Sequence, residues 1–441
     1  MRYDLVIIGG AVAGSPAAIR LARAGWNVLV IERDAFPRRK VCGEYLSPTN
    51  EPVLRALGLG DWFHEVAGPP VGRLALFARD QVIEAPVPTG IRGSGARQLV
   101  ADGGPGPRLC GRALGRDLLD AELARTARAA GAGWWQPAKV TGMQKIGEGW
   151  RLQVRVGAGA AGHPATSASR AGVVEVDTAL LLAAHGSWGR GLPTMPTPRE
   201  ARANDLFGFK AHFFGGNLAP ALMPALAFDG GYGGMVITDG GRISLSCCVR
   251  RDELERMRAR HPAAQPGDSV VAALRSRLRG VREALQGTEP DGRVMAAGPI
   301  RPAIRGGWRD DVFATGNAAG EAHPIIAEGI SMALQSSWMA AGQLLDGGGG
   351  DPLAAAADRQ VIGRRYDRAW RRAFAPRIRA AAVFARLAMS PRLVAALTPC
   401  YLRWPALLTW NARLAGKARV VVVPAPVDGG EAPRPGRRPA A

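Results

Sequence analysis

The opening stretch constrains this 441-residue chain more than anything after it. Tyr3 to Ile8 is a continuous apolar run that stops at Gly9-Gly10. Apolar character without alternation suits a strand covered on both faces, as in a parallel sheet. Ala13 to Ala24 then places Ala17, Ala18, Leu21 and Ala22 on one side of a helix, and Gly25 stops it. Asn27 to Ile31 is a second β-branched run, closed by Glu32. Strand, glycine turn, helix, strand and acid make a βαβ unit, which commits its neighbours to a layered α/β fold.

The turn Gly9-Gly10-Ala11-Val12-Ala13-Gly14 keeps two of the three glycines of the dinucleotide pattern G-x-G-x-x-G. Ala11 adds one methyl where backbone must approach a diphosphate. Glu32 stands about 20 residues on, where an acid can take a ribose hydroxyl. The helix start offers free N–H groups and a positive dipole end. The turn therefore reads as a nucleotide site. Gly157-Ala158-Gly159-Ala160-Ala161-Gly162 matches the same pattern, but His163-Pro164 follows and no amphipathic helix does. It reads as a flexible loop, and no second nucleotide domain is expected.

Further on, Asp34 to Pro52 is polar and reads as a long loop. Residues 114–131 form a periodic helix, and Val140 to Val156 a β-hairpin. Val173 to Leu182 and Asp311 to Thr315 read as strands. Residues 205–250 alternate as antiparallel sheet does, with Asp239-Gly240 at a turn. Cys247 and Cys248, adjacent in that sheet, point to opposite faces. Helices are expected near 252–260 and 268–286, over Glu328 to Leu345, and over 354–417. The expected organisation is a Rossmann-like domain over 1–66, 110–190 and 300–350. A β-sheet substrate domain over 67–109 and 191–299 is inserted into it. A C-terminal helical region spans 351–423, before a disordered tail at 424–441.

Charge and cysteines narrow the partners. Lys plus Arg is 57 against 37 acids, a formal +20. Much of this is Arg scattered through an Ala/Gly/Arg-rich chain, so nucleic acid is not an expected partner. Residues 366–417 mix Arg with Trp, Leu and Val, a pattern that can cover the core or lie on a membrane. Five cysteines without a C-x-x-C pair give no disulfide framework, metal site or iron–sulfur cluster. A reducing cytoplasm is the expected setting, with peripheral membrane contact through the C-terminal helices as the alternative to a helical cover. The N-terminal apolar run is too short for a signal peptide.

Two more segments carry chemistry. One is Arg116-x-x-Leu119-Asp120-x-x-Leu123 on the periodic helix. The other is Ala314-Thr315-Gly316-Asn317-Ala318-Ala319-Gly320, then Pro324, then Glu328-Gly329-Ile330 opening an apolar helix. Asn317 can hydrogen-bond a polyol, and the helix opening presents N–H groups to an anionic ring. With Lys40-Val41-Cys42-Gly43-Glu44-Tyr45-Leu46-Ser47-Pro48, these segments make the chain resemble one superfamily of FAD-dependent oxidoreductases. It includes geranylgeranyl reductases, flavin-dependent halogenases and p-hydroxybenzoate-hydroxylase-type monooxygenases. The resemblance covers roughly residues 1–345.

The resemblance implies FAD as cofactor and NAD(P)H as reductant. It implies that Gly9, Gly10, Ala11, Ala13, Gly14, Glu32 and Arg33 hold the ADP half. Lys40, Cys42, Gly43 and Arg116 would lie near the cofactor. Gly316, Asn317 and Pro324 would follow the ribityl–diphosphate stretch, and Glu328, Gly329 and Ile330 would border the ring. The family usually has Asp at position 317, and an Asp where His185 stands. Halogenases carry a Gly-Trp-x-Trp-x-Ile-Pro segment; the nearest match, Gly231 to Ile237, lacks both tryptophans and the proline. The expected activity is hydroxylation of an aromatic, polyketide-like or lipophilic small molecule, as in secondary metabolism. The alternative is reduction of carbon–carbon double bonds on a prenyl or polyene chain. Lys210, His212 and Cys42 are the candidate reactive side chains, with His323 a further histidine near the expected pocket.

Overall fold

The computed structural model describes residues 1–88, 110–161, 172–187, 200–263 and 265–417. Strand Arg2–Ile8 is central to the first sheet. It pairs in parallel with Val28–Ile31 on one side and with Val173–Ala183 on the other. Gly133–Ile146 and Val312–Ala314 extend the parallel set outward. Helices Ser15–Arg23, Arg116–Ala129 and Gly329–Gly347 pack on it, so Leu5, Val6, Ile7 and Leu29 are sealed from solvent. Burial on both faces is why these runs do not alternate.

Gly133–Ile146, Gly149–Ala161 and Val173–Ala183 also form an antiparallel meander beyond the parallel part. Gly157 to Ala161 belong to its middle strand, which corrects the loop expected there. Ladder partners such as Gln136 opposite Ala161 outweigh the weak strand preference of Gly and Ala. Gly162 lies outside the described residues. The polar stretch from Asp34 also carries more structure than a loop. It holds a short strand, Tyr45–Leu46, and a turn, Pro48–Asn50, that leads into helix Glu51–Ala56.

The second sheet takes Leu206–Phe214, Leu222–Phe228, Gly231–Ile237 and Ile243–Arg250. Its expected antiparallel order is broken once, because Leu222–Phe228 runs parallel to Arg73–Ala78. Cys247 joins the core under helices Arg251–Arg260 and Pro266–Arg277, and Cys248 turns to the other face beside Tyr232. Helices Arg359–Met389, Pro391–Arg403 and Ala406–Leu414 fill the expected C-terminal helical stretch. The tail expected over 424–441 lies outside the described residues.

The long helix Arg359–Met389 puts Tyr366, Trp370, Phe374 and Ile378 into the first core. Tyr366 Oη donates to Ala314 O at 2.9 Å. Trp370 packs so closely on Gly320 that a Cβ there would meet its ring at 2.5 Å. Trp370→Ala should therefore lower unfolding free energy by about 3–5 kcal/mol in urea titration. An unchanged midpoint would mean that the C-terminal helices contribute nothing to this core.

Candidate functional site

The two glycine turns singled out in the sequence meet in space. Thr315 Oγ1 donates to Ala13 O at 2.8 Å, and the Ala17 N–H donates to Ser337 Oγ at 3.0 Å. Gly9 has φ +106°, and a Cβ there would sit 2.5 Å from Ala184 O. A Cβ on Gly14 would collide with Gly9 O. Both glycines are dictated by this fit. The result is a bare backbone stretch, Ala11 to Ala13, in the wall of a cavity of about 420 Å³. Glu32 lies behind that wall, where its carboxylate accepts from the Gly10 N–H at 2.8 Å and the Asp34 N–H at 2.9 Å.

Next to this backbone the cavity wall is cationic. Lys40, Cys42, Gly43 and Arg116 all line it. Arg116 is buried and bidentate on Asp120, with both carboxylate oxygens at 2.8 Å. Arg38 stands 3.7 Å from the same Asp120. Burial first, then the charges of Arg116 and Arg38, push the Lys40 ammonium down to about 8, with Asp120 and Cys42 pulling it back. A cation held down by other cations is a place where a bound anion is favoured. Arg33 is different. Its side chain is exposed, pairs with Asp34 at 3.0 Å, and does not line the cavity, so its expected cofactor role is not supported by position.

Further along, Asn317 Nδ2 donates to Ser187 Oγ at 2.8 Å and to Glu321 Oε1 at 3.2 Å. Burial raises the Glu321 carboxyl, with Ser187 and Arg305 acting against the rise. Then comes the turn Pro324–Ile326, with Ala327 at φ +50° and helix Gly329–Gly347 behind it. Pro324, Gly329 and Ile330 line the cavity; Gly316 and Glu328 are buried just outside it. Glu328 accepts from Ser47 Oγ at 3.2 Å, and Lys417 Nζ lies 3.5 Å from its carboxylate. Lys417 also sits 4.6 Å over the Tyr45 ring. Sequence reasoning missed Lys417, which belongs to no motif and reaches the turn only through the C-terminal helices.

Past the turn the cavity becomes apolar. Met223, Val236 and Ile300 form one side, and Phe384, Leu387, Leu397 and Leu408 close the other. Its polar tip is Tyr232 Oη, 3.1 Å from His323 Nδ1. Burial, then Arg386, push His323 down to about 4, so the imidazole is neutral near pH 7. Strand alternation gave no sign that Tyr232 would face a pocket.

Lys210 and His212 do not face the cavity, which corrects their candidacy as reactive groups. Two apart on one strand, they point the same way, onto Glu44. The Lys210 ammonium pairs with Glu44 Oε1, and His212 Nε2 stands 2.9 Å from Oε2. The Arg116 N–H adds a bond to Oε1 at 3.3 Å. Burial pushes the Glu44 carboxyl up, but the His212 hydrogen bond and the Lys210 charge outweigh it and bring it down to about 2. Cys42 keeps its place on the wall, with its Sγ 3.5 Å from the Glu44 N–H. Among the described residues no group of His, Cys, Asp and Glu could hold a metal.

Comparison with known proteins supplies the cofactor. Residues 2–159 match the family model for the FAD binding domain. Menaquinone reductase of Mycobacterium tuberculosis is 37% identical over 131 residues, 29% of this chain and 28% of that protein. A squalene epoxidase of Saccharomyces cerevisiae is 33% identical over 86 residues, 20% of this chain and 17% of that one. The chain thus spans less than a third of either relative. The solved flavin-dependent brominase Bmp2 is 18% identical, with a TM-score of 0.69 over 95% of this chain and 94% of that one. That likeness establishes a shared fold: a Rossmann-like FAD-binding layer with an inserted sheet.

The cavity fits FAD. The bare Ala11–Ala13 backbone and the crowded cations suit a diphosphate, and the Gly329 helix start suits the ring. Gly14→Asp should abolish FAD uptake on reconstitution; a yellow, fully loaded variant would overturn the assignment. Lys40→Met should bind FAD about tenfold less tightly. Since an anion favours protonated Lys40, wild-type affinity should weaken above pH 8, and the variant's should stay flat. Glu44 has a separate signature. Its folded value lies below its ordinary 4.5, so its stabilisation is present above 4.5 and lost as pH falls toward about 2. Glu44→Gln should remove that acid-side loss from a pH–stability profile.

Proposed function

We propose that this chain, in which residues 2–159 match the FAD binding domain, is an FAD-dependent monooxygenase that hydroxylates a lipophilic or aromatic small molecule with NAD(P)H and O2. One observation carries the reading. A single cavity runs from the Ala11–Ala13 backbone, past the Pro324–Ile330 turn, into an apolar chamber under the C-terminal helices. Bound FAD supplies the oxygen chemistry, so the protein needs no nucleophile of its own.

The chain's residues then have three tasks. Lys40 and Arg116 offset the cofactor's negative charge. The Gly329 and Ile330 amides present the positive end of a 19-residue helix toward the ring position. The apolar side chains around Met223, Val236 and Leu387 exclude water, which would otherwise divert the reaction. The neutral Tyr232–His323 pair is one polar feature of the wall within reach of a substrate hydroxyl or carbonyl, and orients it. Strand Gly231–Ile237 lines this chamber without the tryptophans of the halogenase pattern, so the likeness to a brominase extends to fold alone.

The stretch similar to a menaquinone reductase favours a second reading, a reductase, whose substrate would be the polyene double bond that the superfamily resemblance allows. Incubation with lipophilic phenols and polyenes under 18O2 decides between them. The monooxygenase incorporates one labelled oxygen per NAD(P)H consumed. A product that gains two hydrogens and no label would replace it with the reductase.

A further inference from the structure

We propose that the outward face of the helix pair Pro391–Arg403 and Ala406–Leu414 docks on an anionic lipid bilayer. Substrate would then reach the chamber from the bilayer side, a corollary that rests on the lipophilic-substrate reading above.

The first helix has two working faces. Val394, Leu397, Thr398 and Tyr401 recur at helical spacing and line the cavity. A helix that covers a pocket in water turns a polar face outward. This one does not: Leu393 and Leu402 point out, and none of its residues is buried. Beyond its end, Trp404 is 57% exposed and Trp410 is 56% exposed. Leu414 and Val383 are exposed nearby, so half of the twelve large apolar side chains exposed among the described residues fall between 383 and 414.

Charge identifies what covers this face. Residues 383–414 hold four Arg, at 386, 392, 403 and 413, and no Asp or Glu. Arg392, Arg403 and Arg413 are exposed on the same helix pair, and the Arg403 guanidinium lies 5.8 Å from the Trp404 ring. Amphipathic aromatic rings among arginines match the headgroup layer of a negatively charged membrane. A second copy of the same helix pair would bring arginines against arginines with no acid on the pair to meet them, which disfavours a symmetric dimer through it. The pair lies on the bilayer and does not cross it. The preceding helix Arg359–Met389 is bent 98° from Pro391–Arg403 and commits Tyr366 and Trp370 to the protein core.

The test is flotation of the full chain with phosphatidylcholine vesicles, with and without phosphatidylglycerol. Binding should require phosphatidylglycerol and fall about tenfold when salt is raised from about 0.05 to about 0.5 M. Trp404→Ser with Trp410→Ser should lower partitioning about tenfold while FAD content and melting temperature stay unchanged. Arg392→Glu with Arg403→Glu should abolish the phosphatidylglycerol preference. Absence of flotation at low salt, or wild-type flotation by the double tryptophan variant, would overturn the proposal. So would a dimer in light scattering that those two serines dissociate, since it would assign the face to a second copy. Vesicle binding by protein that takes up no FAD would leave docking standing and overturn the monooxygenase reading alone.

Discussion

One contact organises the molecule: Thr315 Oγ1 on Ala13 O, at 2.8 Å, where two turns more than 300 residues apart lock together. Gly316 must lie against Ala13 for it to form, and a Cβ on Gly316 would approach the Ala13 methyl to 2.8 Å. The bond fixes the direction of two helices at once. Ser15–Arg23 begins at one turn, and Gly329–Gly347 follows the other. Their N-terminal ends are thereby both brought to one cavity, so the diphosphate and ring positions are set by the same core packing.

The second sheet is tied to this frame by a buried charge. Glu44 sits at φ +59°, a backbone state that costs a non-glycine residue about 1 kcal/mol or more. That conformation turns its carboxylate toward Lys210 and His212 on strand Leu206–Phe214. Burying the group alone would be costly, and two cationic or polar partners plus the Arg116 N–H offset it. Losing one partner would strand the others, so the cluster couples the sheet to the loop that carries Cys42 and Lys40.

What could be read from the sequence follows where local pattern and burial agree. Tyr3 to Ile8 and the Gly329 helix were legible because both faces, or a whole stripe, are buried in one core. The strands after Leu206 were legible from alternation. The parallel pairing of Arg73–Ala78 with Leu222–Phe228 was not, because register between distant strands leaves no local mark. Lys210 and His212 show a finer limit. Their spacing placed them on one face of a strand, but what lay opposite was decided by the fold of residues 40–48. Lys417 failed for the same reason: its partner Glu328 is 89 positions away and reached by way of five helices.

The Asn317 site has one more consequence. Position 317 lacks the carboxylate usual in the superfamily that the chain resembles, yet Glu321 holds one against the same amide at 3.2 Å. This carboxylate stands four residues further along the chain, on the short strand Gly320–Glu321 braced by Arg305 at 3.8 Å. Two acids that close would compete for one proton. An aspartate at position 317 would therefore face Glu321 and push its carboxyl further up, and neutralising Glu321 would remove that repulsion.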